Sequence, residues 1–419
     1  MTDELNPQKC PHCGDPLPQG TNECPKCAKR WALVLRSRET VLGLCALLLI
    51  IFFFLTGMIV QRYHQKRQSL GIEWFAAGQE QMKDNNASAA LSDFRNSLVY
   101  NPDDTQVQFQ LAEALSEEGR NEEARSYLLG LLGQSPSDAP VNLALARIAS
   151  TSGSEAEALR YYHGAIYGIW PSNLEENRLN TRLELCRFLV AEDDSASADS
   201  ELIALESEIP RRNGVALHQQ TGELFLRAGD ANRALEEFRR TLEGPHPPSD
   251  AFRGAGLAAF RMGDYRVAER YLERADRAQK KQVDVETALE TSRLILAWNP
   301  EAPRLTDAER RDRVRHDLTQ VISRVELCAK ASGVDLSGTA ANQTAGPDHS
   351  DDLVTQYVQA ETLQAKLSNR DLARHPDRLD AAINMIFELE ATATQKCGEP
   401  TGLDEALETL RKNRQNVGQ

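Results

Sequence analysis

Hydrophobic residues follow two different patterns along this chain. Residues 41–60, VLGLCALLLIIFFFLTGMIV, form an apolar run without a charged residue. A helix of that length rises about 30 Å, which is the thickness of the hydrocarbon core of a bilayer. From residue 72 onward, apolar residues recur instead at helical spacing among polar ones. The pattern predicts a transmembrane helix at 41–60, a juxtamembrane linker at 61–71 and a series of amphipathic helices beyond it.

The amphipathic part contains a repeat. Alanines recur in it at intervals of 34, 34, 40, 36 and 34 residues. Twelve residues before each alanine there is a small residue, and four residues after it there is a large apolar one. The alanines are Ala90, Ala124, Ala158, Ala198, Ala234 and Ala268; the small residues are Gly78, Ala112, Ala146, Cys186, Gly222 and Gly256; the large ones are Phe94, Leu128, Tyr162, Leu202, Phe238 and Leu272. Antiparallel helices approach closely only where side chains are small, and the large residue fills the space beside them. We therefore predict six two-helix units at 72–280.

These landmarks resemble the tetratricopeptide repeat family, whose period is about 34 residues. The resemblance implies an all-α, right-handed helical solenoid in which the first helices of the repeats line a groove for a peptide or protein segment. The groove positions that it implies are Gln79, Glu113, Arg147, Glu223 and Arg253. Ordinary solvated surface is the alternative for these polar side chains. The Lys/Asn set with which some family members hold a C-terminal carboxylate does not occur at these positions.

The segment CPHCGDPLPQGTNECPKC, residues 10–27, has the spacing of a metal site. Two Cys-x-x-Cys pairs can close a tetrahedral site around one ion, with Cys10, Cys13, Cys24 and Cys27 as ligands. The segment resembles the short bacterial zinc ribbons, which implies a structural Zn²⁺ in a module at 8–30. Ala28 stands where that family has a second glycine. A redox role of the cysteine pairs is the alternative.

Charge is unevenly distributed and bears on topology and partners. The chain has a formal charge of −14, whereas residues 1–70 carry nine Lys/Arg and five Asp/Glu, a net +4, which leaves about −18 for the remainder. An acidic bulk argues against binding to nucleic acid. Five Lys/Arg at 26–40 against three at 61–75 favour a cytosolic N-terminus. Together with the lipid-spanning run at 41–60, this predicts a single-pass protein of the bacterial inner membrane with its repeats on the extracytoplasmic side.

The sequence predicts further helices in the last third of the chain. We recognise no known domain in this part. Capping helices are expected at 281–331, a flexible loop at 332–350 and a helical region at 351–419. Cys328 and Cys397 flank the loop. Two buried free thiols are the interpretation that we favour from sequence, and a disulfide is the alternative if this part is exported.

The sequence lacks the glycine-rich phosphate loops and the HExxH and GxSxG motifs of common enzyme classes. We therefore predict that the protein is not an enzyme. The predicted function is a membrane-anchored interaction scaffold that binds peptides or proteins and assists bacterial envelope assembly or export. Two alternatives stay open: a regulatory protein that couples occupancy of the groove to the zinc module, and an enzyme in the C-terminal third.

Overall fold

The structure is a computed structural model, and its regular elements are helical apart from an isolated β-bridge between Lys9 and Pro16. It forms two compact units, Met1–Gly164 and Ala165–Gln419. The described residues are 8–18, 20–210, 214–244, 246–278, 282–334, 336, 350–367 and 376–417.

The first unit is built on one very long helix, α1 (Pro25–Lys83). It contains the whole apolar run, and the large apolar side chains of that run are exposed, up to 76% for Phe53. Within the described residues it is the one helix that is long and apolar enough to cross a membrane. The linker expected at 61–71 is part of the same helix, because residues 61–70 contain neither proline nor glycine. The apolar run is therefore joined to the first repeat without a break in the helix.

The remaining helices of the first unit are short and antiparallel. They are α2 (Ala87–Tyr100), α3 (Thr105–Glu117), α4 (Asn121–Gln134), α5 (Ala139–Thr151) and α6 (Glu155–Ile166), whose last two residues belong to the second unit. Side-chain oxygens of Asn86, Asp104 and Asp138 accept backbone N–H groups at the starts of α2, α3 and α5. Helices α1 to α5 pack in sequence, each on the next.

The landmark residues form the contacts that their spacing predicts. Ala90 and Phe94 are fully buried in α2, and a Cβ added at Gly78 of α1 would lie 2.5 Å from the Phe94 ring. Any larger residue at Gly78 would therefore push α1 away from α2. The same small-to-large contact recurs in the second unit between Gly256 and Leu272. The all-α, tetratricopeptide-type solenoid is thus confirmed as the fold.

The second unit continues the repeats and adds a C-terminal bundle. Its repeat helices are α7 (Leu174–Ala191), α8 (Ser195–Glu208), α9 (Val215–Ala228), α10 (Ala231–Leu242), α11 (Ser249–Arg261), α12 (Tyr265–Ala278) and α13 (Val283–Trp298). Helix α13 packs on α12 and α11, in the way that α11 packs on α10 and α9. Its bundle helices are α14 (Asp307–Ser332), α15 (Ser350–Lys366), α16 (Pro376–Cys397) and α17 (Leu403–Val417).

The end of the repeat array is covered by α17 as well as by α13. Ala406 of α17 packs with Tyr265 and Ile295, and the Asn413 amide donates a hydrogen bond to the Tyr265 hydroxyl. The C-terminal helix therefore shares the capping role that the sequence placed at 281–331. Of the loop expected at 332–350, residues 335 and 337–349 lie outside the described residues.

Candidate functional site

The first Cys-x-x-Cys pair lies on a tight turn. The Cys10 N–H donates to the Asp15 carbonyl at 2.8 Å, and the Gly14 N–H donates to the Cys10 carbonyl at 3.0 Å. Gly14 has φ 74°, a conformation that a residue with a side chain rarely adopts. The turn therefore brings both sulfurs of this pair to the same side of the chain.

The second pair lies at the start of α1. Cys24 is the residue before the helix, Pro25 occupies its first turn, and Cys27 follows within that turn. The Ala28 N–H donates to the Cys24 carbonyl at 2.9 Å as the helix begins. No turn follows this pair, so the alanine at position 28 replaces the family's glycine without strain.

The four sulfurs meet in one cluster. All four Sγ atoms lie within 4.8 Å of one another, and those of Cys13 and Cys24 are 3.4 Å apart. A tetrahedral ion with ligand bonds of about 2.3 Å holds its sulfurs about 3.8 Å apart, so the set fits such an ion. Cys10 and Cys24 are buried, whereas Cys13 is exposed.

The cluster favours a bound cation electrostatically. Backbone N–H groups of His12 and Cys13 lower the pKa of Cys10 to about 7. The neighbouring Cys13 sulfur raises the pKa of Cys27 to about 12. Sulfurs this close cannot all ionise unless a positive charge lies between them, and a divalent ion supplies it.

The five predicted groove residues all lie on first helices of repeats. Burial raises the pKa of Glu113 in α3, and the nearby positive charge of Arg147 in α5 opposes that rise. Arg253 of α11 pairs with Asp284 of α13, with Nε 2.8 Å from Oδ2, so it links two helices. Gln79 is half-buried in α1. The groove role of all five, including Glu223, stays a prediction.

A cavity in the second unit was not predicted. It measures about 940 Å³ and lies between the first turns of α7 and α9, beside the end of α8. None of the predicted groove residues lines it. The sequence does carry a signal, since the interval from Ala158 to Ala198 is 40 residues instead of 34. The additional residues precede and lengthen α7, which has 18 residues against 14 in α9.

Cys328 and Cys397 form a disulfide, which corrects our expectation of two free thiols. Their Cα atoms lie 5.5 Å apart, because the end of α16 lies against the last turns of α14. Arg324, one turn before Cys328, donates to the Gly398 carbonyl at 2.7 Å and pairs with the buried Glu390. Nothing in the sequence indicates that Arg324 and Glu390, which lie in distant segments, form this ion pair.

We expect the disulfide to survive purification without reductant. Iodoacetamide added to the denatured, unreduced chain should alkylate Cys186, a buried free thiol, and leave Cys328 and Cys397 unmodified. Peptide mass analysis checks this, and Cys186 serves as the internal control. Alkylation of all three cysteines to the same extent would contradict the disulfide.

Asp317 is a buried acid in α14. It is fully buried, and its Oδ2 has no hydrogen-bond partner in the part of the chain that the structure describes. Burial raises the pKa of Asp317 to about 8, against the opposing charge of Arg313. Neighbouring His316 stacks on Trp298 with ring centroids 3.6 Å apart, and burial lowers the pKa of His316. The aspartic acid is therefore protonated at neutral pH.

This raised pKa predicts a pH-dependent stability of the bundle. The folded state holds a proton that the unfolded state, with an ordinary aspartate, releases. Stability should therefore fall as pH rises towards 8, by about 2 kcal/mol between pH 6 and pH 8. Hydrogen exchange of α14 in the full chain measures it. Asp317→Asn should flatten the dependence, while Asp312→Asn on the exposed face of α14 should not; equal slopes for both variants would refute the prediction.

Comparison with known proteins supports the repeat assignment. Two family models described as tetratricopeptide repeat match residues 81–148 and 220–283. The search of curated proteins found no significant match. The chain therefore contains tetratricopeptide repeats, and the resemblance inferred from the landmarks is confirmed.

Solved structures with a similar fold include three repeat proteins. PilW, a widely conserved type IV pilus biogenesis factor, is 15% identical, with a TM-score of 0.39, over 52% of this chain and 98% of its own. PilF of Pseudomonas aeruginosa is 14% identical, with a TM-score of 0.40, over 53% and 97%. YrrB, a tetratricopeptide repeat protein with an unusual peptide-binding site, is 19% identical, with a TM-score of 0.38, over 46% and 96%.

Proposed function

We propose that this protein is a membrane-anchored interaction scaffold that assists envelope assembly or export in bacteria. The observation that carries the proposal is the continuity of α1. One 59-residue helix joins the cysteine cluster, the exposed apolar run and the first helix of the first repeat. A helix of that length extends about 88 Å, so it can cross a bilayer and still reach folded parts on both sides.

The proposed topology places the cysteine cluster in the cytosol and the repeats outside it. Thiolate ligands persist in a reducing compartment, whereas disulfides persist in an oxidising one. The cluster precedes the apolar run, and the disulfide between Cys328 and Cys397 follows it. The excess of Lys/Arg before the run favours the same orientation.

Zinc is the ion that we propose for the cysteine cluster. Four thiolates leave no open coordination position, which is the arrangement of structural zinc sites. The ion would therefore stabilise the fold of the small module without taking part in a reaction. The function that we propose is binding and includes no catalytic step.

Cross-linking in the native membrane tests the scaffold. The photoreactive residue p-benzoylphenylalanine at Gln79 or Glu223 should capture partner proteins that mass spectrometry identifies. The same residue at the exposed Val99, on a second helix, is the control. Captured proteins that are soluble cytosolic enzymes, or no products above the control, would contradict the proposal.

A regulatory role is the second candidate, and the position of Cys27 favours it. This ligand lies in the first turn of the helix that continues into the first repeat. A change in the orientation of the repeats would therefore be transmitted along α1 to the cluster. Cys27→Ser should then abolish a cellular output while cross-linking through the repeats is unchanged; loss of both together favours misfolding.

A further inference from the structure

We propose that Arg62 and Lys66 of α1 bind the phosphate groups of anionic phospholipids in the leaflet next to the repeats. The proposal rests on the proposed function, in which α1 crosses the bilayer, and it adds a lipid headgroup to the ligands of the chain. Both residues belong to the first unit and lie on the stretch of α1 between the apolar run and the first repeat.

Every charged residue in the stretch after the apolar run is basic. Residues 61–72, QRYHQKRQSLGI, contain Arg62, Lys66 and Arg67 and neither aspartate nor glutamate. The apolar run at 41–60 has no acidic residue either. The headgroup layer of a bilayer lies directly beside its hydrocarbon core, and basic residues near that layer are attracted to anionic lipids. The sequence therefore places cations at the depth of lipid phosphates.

Arg62 and Lys66 lie close together on α1, off the side of the helix that faces α2. They are four residues apart, so their side chains are neighbours on the helix surface. The side that faces α2 is marked by Arg67, whose guanidinium donates to the Val99 carbonyl at 2.9 Å. At about 100° of rotation per residue, Lys66 lies about 100° and Arg62 about 140° around the axis from Arg67. The third cation is therefore used to hold α2, whereas the other two point elsewhere.

The first two cations have no counter-charge close by within the described part of the chain. The side chains of Arg62 and Lys66 are exposed and form no ion pair with a described residue. The next acidic residue of α1 is Glu73, seven residues after Lys66 and about 10 Å further along the axis. Asp103 and Asp104 lie in the turn that follows α2, on the other side of α1. An anionic lipid would supply the missing charge.

The space beside these cations is that of the headgroup layer. The polar region of a leaflet extends about 5–7 Å beyond the hydrocarbon core. With a rise of about 1.5 Å per residue, Arg62 and Lys66 lie about 3 Å and 9 Å beyond Val60, and their long side chains reach into that layer. Tyr63, 65% exposed, lies at the same depth, where tyrosine is enriched in membrane proteins. Contact with α2 begins only at Arg67. Lipid headgroups therefore occupy the space around the two cations.

Headgroup binding has a consequence for the first repeat. Because α1 continues into this repeat without a break, a rotation or a change in depth of the helix moves the repeat with it. Phosphates held at one side of α1 would fix both its rotation and its depth. The first repeat would then be presented to partner proteins at a constant height above the lipid surface.

Photo-cross-linking to lipid tests the site in the full chain, reconstituted in vesicles of three parts phosphatidylcholine and one part phosphatidylglycerol. In phosphatidylcholine the choline group offsets the phosphate charge, whereas phosphatidylglycerol is anionic. The residue p-benzoylphenylalanine at Gln65 reports the lipids beside the two cations, and at Phe53, within the apolar run, it reports the lipids around the helix in general. Mass spectrometry of the adducts should show phosphatidylglycerol enriched about fivefold at Gln65 relative to Phe53.

Variants assign the enrichment to the two cations. Arg62→Gln combined with Lys66→Gln should lower it to less than about twofold. The matched control is Lys83→Gln with Arg120→Gln, which removes two exposed cations of the same unit at the ends of the helices farthest from the apolar run. The control should retain the enrichment. Hydrogen exchange of α2 confirms that the first repeat is folded in every variant.

Three results would overturn the proposal. They are equal lipid shares at Gln65 and Phe53, equal losses in the test and control variants, and loss of the enrichment when inorganic phosphate replaces chloride at equal ionic strength, since a site for the free ion would show that last behaviour.

Failure of the proposed function looks different. If Phe53 is cross-linked to lipid and Gln65 shows no preference, the membrane anchor stands and this site falls. If neither position gives a lipid adduct, α1 does not cross the bilayer, and the membrane-anchored scaffold itself is refuted.

Discussion

Replacing Phe238 with alanine should lower the free energy of unfolding of the second unit by about 3–5 kcal/mol. Its side chain is fully buried, and its ring occupies the space beside Gly222 of α9 and Gly254 of α11. A Cβ added at Gly222 would lie 3.1 Å from the ring, and one at Gly254 would overlap it. The glycines on both sides have no side chain that could fill the space left by the ring, so the cavity would persist.

Denaturant titration of the full chain, with hydrogen exchange assigning the loss to α9, α10 and α11, measures this effect. Val283→Ala, at a position 76% exposed, is the control and should change stability little. A double-mutant cycle adds a sharper test. Gly254→Ala alone should destabilise by about 1–3 kcal/mol through overpacking, and the smaller residue in Phe238→Leu should relieve most of that cost. Strictly additive losses would show that the ring and α11 do not meet as described.

The repeats were predictable because their landmarks follow a local steric rule. Each repeat has a small residue, an alanine 12 positions later and a large residue 4 positions after that. This spacing depends only on how the two helices of one repeat pack together. In the second unit Ala234 and Phe238 are fully buried, as the rule requires, and Cys186 takes the small-residue position with no exposure. No knowledge of distant contacts was needed for any of these.

It was not predicted that the linker is helical, because a sequence marks helix ends more clearly than helix continuity. The apolar run ends at Val60, and a change in polarity resembles a boundary. Residues 61–70 nevertheless contain no glycine or proline, so nothing stops the helix. The first repeat then stabilises it: the Ser97 hydroxyl donates to the Gly71 carbonyl at 2.8 Å, and Arg67 donates to the Val99 carbonyl at 2.9 Å.

The disulfide was only an alternative in the sequence analysis, and the cavity was not predicted, for a different reason. Cys328 and Cys397 are 69 residues apart, and their approach depends on how α14 and α16 pack. The cavity depends on where the lengthened α7 begins relative to the end of α8 and the start of α9. Both are consequences of tertiary packing, whereas the cysteine cluster was predictable because its spacing alone defines the geometry.

Removing the zinc ion that we propose should unfold the module at 8–30 while the repeats remain folded. Its short segment buries two cysteines and has one isolated β-bridge between Lys9 and Pro16, so the polypeptide alone provides little stability. Zinc binding in comparable small modules contributes about 10–16 kcal/mol at neutral pH, and most of it is folding free energy. A chelator should therefore abolish hydrogen-exchange protection of the Cys10 N–H, which donates to Asp15, and leave α9 to α12 protected.

Metal content supplies the matching measurement. Purified protein should contain one zinc ion per chain by atomic emission, and Cys10→Ser or Cys24→Ser should reduce that content to near zero. Cys45→Ser and Cys186→Ser remove thiols outside the cluster and should leave it unchanged. If the chelated protein kept the Cys10 N–H protected, the turn would be stable on its own, and the module would be a folded domain without a structural metal. We expect the loss of protection because the four sulfurs lie within 4.8 Å of one another. Thiolates this close repel one another unless a cation binds them.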